Sequence, residues 1–172
     1  MKTNLTFLLT IMLAALIAAC TPREQQVAMQ EEEVDLINDE FTEAKEEVRM
    51  TMDSIAQSIK DGDIDRLISF HAYSPKFTEF KNGEVRNGAK ANEEFERGVF
   101  GSVTEVKKFD MNDMKIAVYG DVANVTLHSD FQLKFENDLV TVNDQISLLF
   151  VDTENGWRIV HEHHSSLNQA EE

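Results

Sequence analysis

The hydrophobic period of this chain is mainly that of a helix in its first half and that of a strand in its second, and this order constrains the fold most. Val34, Ile37, Phe41, Ala44, Val48, Met52, Ile55 and Ile59 recur at steps of three and four. That spacing puts them in one stripe along a helix. The acids Glu31 to Glu33, Asp35, Asp39, Glu40, Glu43, Glu46 and Glu47 gather toward the start, where the helix dipole favours them. A helix over 31–60 would run about 45 Å at 1.5 Å per residue. A small domain is narrower than that, so the first turns would project or pair with a second copy. Asp61-Gly62-Asp63 ends it: Gly62 suits a left-handed C-cap, and Asp63 can cap a short helix from Ile64 to Phe70.

A bulky extended stretch from Ala72 to Phe80, holding Tyr73, Phe77 and Phe80, leads to the turn Lys81-Asn82-Gly83-Glu84. Asn87 or Gly88 opens a third helix through about Arg97. The rest reads as strands. Val103 to Val118 is one long strand or two pieces. From Val122 the alternation puts Val125, Leu127, Phe131, Leu133 and Phe135 on one face. Thr126, His128, Asp130, Gln132 and Lys134 fall on the other. Leu139 to Asp152 and Trp157 to Ser165 complete the set, with turns at Glu136-Asn137-Asp138 and Glu154-Asn155-Gly156. Helices first and antiparallel strands after them is an α+β layout. A long curved sheet wrapped on one long helix leaves a hollow for a ligand.

Gly156-Trp157-Arg158-Ile159-Val160-His161-Glu162-His163-His164-Ser165 resembles the closing strand of SnoaL-like proteins, within the nuclear transport factor 2-like superfamily. Ile59 to Asp65 is similar to that family's turn between its first two helices, and Asn87-Gly88 to the glycine before its third. The resemblance implies a cone-shaped α+β roll: a curved antiparallel sheet on a long N-terminal helix, with two short helices and often a dimer. It covers roughly residues 45 to 166. The superfamily holds isomerases, hydrolases, cyclases, oligomerisation modules and binding proteins, so fold alone leaves activity open. In its kinase association domains basic side chains line the pocket. By that likeness, pocket positions fall at His164, His128 and Leu148, with a polar one on the third helix at Asn92. Leu148 stands where the family has a base, which argues against strong anion binding. Tyr73 is a further candidate ligand contact. Isomerases of the superfamily use a pocket carboxylate, for which Asp130, Asp144 and Glu162 are candidates.

The chemistry concentrates in His161-Glu162-His163-His164. On a strand, His161 and His163 share one face, and Glu162 and His164 the other. The first pair would need a third zinc ligand from His71 or His128, and no spacing brings either near, so no metal or cofactor is assigned. Glu162 and His164 form the better catalytic pair: a carboxylate beside an imidazole raises its basicity. The plainer reading is a hydrogen-bonded pair at the pocket rim. The expected function is binding of a small, partly apolar molecule in the cone. The alternatives are an isomerase- or hydrolase-like reaction through Glu162 and His164, or a dimerisation module. A homodimer is expected through the outer sheet face, with Trp157, Ile159, His161 and His163 near the contact.

The N-terminus sets the compartment. Lys2, an apolar run from Leu5 to Ala19 and small residues before the sole cysteine, Cys20, have the layout of a secretory signal. Leu16-Ile17-Ala18-Ala19-Cys20 resembles the lipobox of bacterial lipoproteins, which implies cleavage before Cys20 and acylation of its sulfur. The residue pattern also admits an ordinary signal peptide or a lone buried thiol. The expected organisation is a signal peptide over 1–19 and a lipidated tether over 20–30. A SnoaL-like domain over 31–167 and an acidic tail over 168–172 follow. Its partner would be the lipid bilayer of a bacterial cell envelope, with the domain in the periplasm or outside the cell. The charge of −16, from 16 basic and 32 acidic side chains, excludes nucleic acid, whose binding needs clustered Lys and Arg. It also leaves the anchor, not charge, to hold the protein at anionic lipid. Replacing the sulfur that carries the anchor, Cys20→Ala, should release a folded domain from the membrane fraction. Retention there, read by fractionation and blotting, would overturn the lipoprotein expectation.

Overall fold

The computed structural model describes residues 34–167. The expected signal segment, Cys20, the tether, the first positions of the long helix and the acidic tail lie outside the described residues. None of the described helices is long and apolar enough to cross a membrane.

The first helix, α1, spans Thr42–Asp61 and not 31–60. The side chain of Asp35 explains the late start. Its Oδ1 accepts the Ile37 and Asn38 amides, each at 3.0 Å, and closes a local turn that competes with helix. Phe41 then adopts a left-handed conformation with φ 45°, which no helix of L-residues propagates through. Val34 and Ile37 therefore remain exposed, while Val48, Met52, Ile55 and Ile59 are buried. Gly62 caps the helix with φ 70°. Asp63 accepts the Arg66 amide at 3.0 Å and starts α2, Ile64–Ser69. The third helix, α3, spans Ala89–Phe100.

The strands are β1 Thr78–Lys81, β2 Glu84–Val85, β3 Glu105–Tyr119, β4 Val122–Phe135, β5 Asp138–Val142, β6 Asp144–Val151 and β7 Arg158–Ser166. They form one sheet in the order β2-β1-β7-β6-β4-β3, with β5 on β4. The sheet is mixed and not antiparallel throughout, because β1 runs parallel to β7. The extended stretch expected from Ala72 is largely a turn, with the Phe77 amide bonded to the Ser74 carbonyl. The strand expected over 139–152 is two strands, parted at Asn143. Ser129 on β4 fills that gap: its Oγ accepts the Asp144 amide at 2.8 Å and donates to the Val142 carbonyl at 3.1 Å.

β7 departs from simple alternation at one point. Leu149 pairs with His161 but Phe150 pairs with Ile159, so Val160 is an inserted residue. A bulge of this kind shifts the alternation by one. Ile159 therefore shares the inner face with Glu162 and His164. Trp157 and Ile159 are 3% exposed and belong to the core, contrary to their expected place on the outer face. The Trp157 indole donates to Glu47 Oε2 at 3.1 Å.

The core joins α1 to the inner faces of β3, β4, β6 and β7. Phe150 is fully buried there, whereas Leu139 is exposed. Phe150→Ala should cost about 3–5 kcal/mol, and Leu139→Ala within about 0.5 kcal/mol. Urea unfolding of both variants checks this; equal losses would contradict the assigned core.

Candidate functional site

The helices and the inner sheet face border a partly open cavity of about 130 Å³. Its walls are mainly apolar, with Met52, Phe109, Leu127, Phe131 and Leu148 among them, and its polar lining comprises His71, Lys81, Glu96, Glu162 and His164. Backbone register brings these polar groups together. The parallel pairing of β1 with β7 sets Glu79 beside Glu162 and Lys81 beside His164. His71 follows α2 and bridges to Ile159, which lays its ring over the same floor.

Glu162 is the centre of this cluster. It is 4% exposed, and its Oε1 accepts from His71 Nε2 at 2.7 Å. Its Oε2 accepts from His164 Nε2 at 3.2 Å. Burial alone would raise its pKa, but the hydrogen bonds and charges of His164 and His71 outweigh that and hold Glu162 well below the usual carboxylate range. Burial likewise works against charge on His71, and the hydrogen bond and charge of Glu162 overcome it, so the His71 pKa is raised. Geometry agrees: His71 Nδ1 lies 3.3 Å from the Ile68 carbonyl. Both ring nitrogens face acceptors, which only the doubly protonated ring can satisfy.

Glu96 is in the opposite state. It is buried on α3, and no donor among the described residues is hydrogen-bonded to its carboxyl group. Burial, reinforced by the charge of Glu162, pushes its pKa up to about 8. One cavity therefore holds an ionised carboxylate and a neutral carboxylic acid. Beside them, Glu79 accepts from Arg86 Nη1 at 3.2 Å and from Asn92 Nδ2 at 3.0 Å. Asn92 Oδ1 accepts the Tyr73 hydroxyl at 2.5 Å. Burial, with the charges of Glu96 and Glu162, raises the Tyr73 pKa, so the phenol stays a donor.

Of the residues expected at the site, Glu162, His164 and Leu148 line the cavity. Asn92 and Tyr73 stand behind its wall, in the Glu79 network. His128 does not join them. β4 keeps its alternation without a bulge, so His128 faces outward, with Nδ1 3.2 Å from Asp113 Oδ2. Asp130 also points outward, paired with Lys108. His161 lies on the outer face, 2.7 Å from Thr78 Oγ1, and His163 is exposed. Neither approaches His71.

Sequence reading missed His71, Glu79 and Glu96 as site residues. Glu96 had a signal: it lies four residues from Asn92 on one helix face. His71 and Glu79 depend on long-range pairing that no local pattern carries. One ligand atom each from Glu79, Glu162 and His164 lie within 4.8 Å of one another, which a metal ion would require. Both oxygens of each carboxylate, however, already serve protein donors.

The neutral Glu96 gives stability a definite slope. The folded protein keeps this proton above the ordinary carboxylate pKa of 4.5, where the unfolded chain has lost it. Its contribution is therefore complete below 4.5 and is lost as pH rises toward 8, by on the order of 1 kcal/mol per pH unit. Glu96→Gln, neutral at every pH, should flatten this slope in chemical denaturation between pH 5 and 8. An unchanged slope would contradict the neutral assignment.

The sequence matches the SnoaL-like domain family over residues 48–169. No curated protein matches it. Among solved structures, a candidate dehydratase of the NTF2-like family from Streptomyces avermitilis superposes with a TM-score of 0.67 at 19% identity, over 74% of this chain and 99% of that one. An NTF2-like superfamily protein from Salmonella enterica gives 0.66 at 20%, over 76% and 95%. The CamKII hub homology domain of Chlamydomonas reinhardtii gives 0.57 at 20%, over 73% and 98%. At such identities these likenesses bear on fold alone. The family match covers most of the chain and agrees with the mixed curved sheet around a long helix: the chain belongs to the SnoaL-like domain family, with an NTF2-like α+β fold.

Proposed function

We propose that this domain binds a small, largely apolar molecule in its cavity, with the molecule's polar end toward Glu162 and His164. The observation that carries the reading is the combination of a mainly apolar, partly open space of about 130 Å³ with polar groups converging on one side. Sites for small molecules have this composition: apolar walls for affinity and few polar groups for orientation. A dry cavity of about 150 Å³ takes up benzene, so the expected ligand is of one-ring size or slender. Acylation of Cys20 would place the site at a bacterial membrane surface, within reach of molecules that partition into lipid. The outer sheet face, where exposed Phe80 lies edge-on to His161 and His163, is the surface we assign to a second copy.

A second reading has its own support. Glu162 is ionised and Glu96 neutral in one cavity, and carboxyl groups driven apart in this way mark acid and base roles. His164 Nε2 is committed to Glu162, which leaves Nδ1 as the ring nitrogen open to a bound molecule. Such a nitrogen would take a proton from a bound carbon acid, Glu96 would supply one, and Glu162 would stabilise the imidazolium.

Extracting the purified protein and identifying what co-purifies separates the readings. Binding predicts one recurrent small molecule, a raised melting temperature when it is added back, and loss of that shift in Leu148→Trp, which fills the cavity. Catalysis predicts that the molecule changes on incubation and that Glu162→Gln stops the change. An empty protein with no thermal shift across a broad apolar library would overturn both.

A further inference from the structure

We infer that the mouth of the cavity holds a second recognition point, at Asp144, which selects ligands carrying a hydroxyl group. The inference rests on the cavity being a binding site and names the class of molecule that it takes. Asp144 opens β6 and shares its inner face with Ile146 and Leu148, both of which line the cavity. It is 5% exposed. Its Oδ2 is shut off from solvent and has no hydrogen-bond partner among the described residues. The main chain at this position is satisfied, because the Asp144 amide bonds Ser129 Oγ at 2.8 Å. The carboxyl group alone is left over. The other acids on this inner face differ, since Glu79 and Glu162 each serve two donors.

A buried carboxyl oxygen without a donor is costly. Folded chains keep such violations mainly where function uses them. Asp144 also lines an open groove with Lys81, Asn82, Thr141, Val142 and Ser166. Lys81 and Val142 line both this groove and the inner cavity, so the two spaces adjoin, and we take the groove as the cavity's outer mouth. Its charges narrow the choice of ligand group. An anion would meet Asp144 and a cation would meet Lys81. A hydroxyl meets neither repulsion: it donates to the Asp144 carboxyl group and accepts from the Lys81 ammonium. The molecule assigned to this cavity is therefore apolar in its body and hydroxylated at the end that enters last.

Toluene and benzyl alcohol, which differ by that one group, test this by calorimetric titration of the full chain. Benzyl alcohol should bind about tenfold more tightly, the scale of one hydrogen bond to a charged acceptor. In Asp144→Ala the preference should vanish while toluene affinity stays within about twofold. If that variant does not fold, Asp144→Asn, with its weaker amide acceptor, should reduce the preference. Equal binding of the two probes to the unaltered chain would overturn the inference and leave the cavity reading intact. A preference that survives Asp144→Ala but is lost in His164→Ala would place the hydroxyl at the floor and overturn it too. Binding of neither probe would remove the cavity reading itself.

Discussion

Glu162 is the constraint on which the rest of the site depends. A carboxylate at this depth either loses its charge or is surrounded by donors. Here it is surrounded, by His71 Nε2 at 2.7 Å and His164 Nε2 at 3.2 Å. The two donors come from distant parts of the chain. His164 needs only the alternation of β7. His71 needs α2 to end where its ring can cross to the sheet, and the bridge to Ile159 fixes that end. The parallel pairing of β1 on β7 then adds Glu79 next to Glu162. A second acid there would be repelled were it not matched by Arg86 and Asn92. The floor of the cavity is thus a chain of charge compensation, and each link dictates the packing of the next element.

Glu96 shows what happens when compensation stops. No cation is hydrogen-bonded to it, and the negative charge of Glu162 is close enough to oppose ionisation. The cheaper outcome is to keep the proton, because a neutral carboxyl costs far less to bury than a carboxylate. The difference between the two groups is not one of residue type. It follows from whether donors converge on the oxygens, and it makes one side of the cavity an acceptor and another a donor without metal or cofactor being invoked.

The sequence carried the fold well where period alone decides. The core stripe of α1, the cap at Gly62 and the alternation of β4 all follow from local pattern, and β4 keeps its face assignments for its whole length. Local pattern failed where one residue changes the count. Asp35 and Phe41 cut the long helix short, and Val160 turned Trp157 and Ile159 inward. It failed too for the site as a whole. Glu162 and His164 were legible because both lie on one strand two residues apart. His71 and Glu79 reach them across 91 and through parallel strand register respectively, and neither separation leaves a trace in a single sequence. His128 is the opposite case: likeness to pockets of the superfamily points it toward the cavity, while the alternation of its own strand turns it outward, and the unbroken β4 follows the alternation.

The mouth of the cavity follows from backbone accounting. β4 is a long strand, and its partner on one side is interrupted at Asn143, with β5 pairing its far end and β6 its near end. An interruption inside a sheet leaves amides and carbonyls without ladder partners. Ser129 takes up that deficit with a single hydroxyl, bonding both Val142 and Asp144. Because Ser129 is spent on the main chain, it offers nothing to the Asp144 carboxylate, and neither does any other described residue. The same break that starts β6 thus leaves a carboxyl group without a partner in the groove beside the cavity. Closing the strand would satisfy the backbone more simply and would remove that group, so the interruption and the orphaned oxygen are two aspects of one feature.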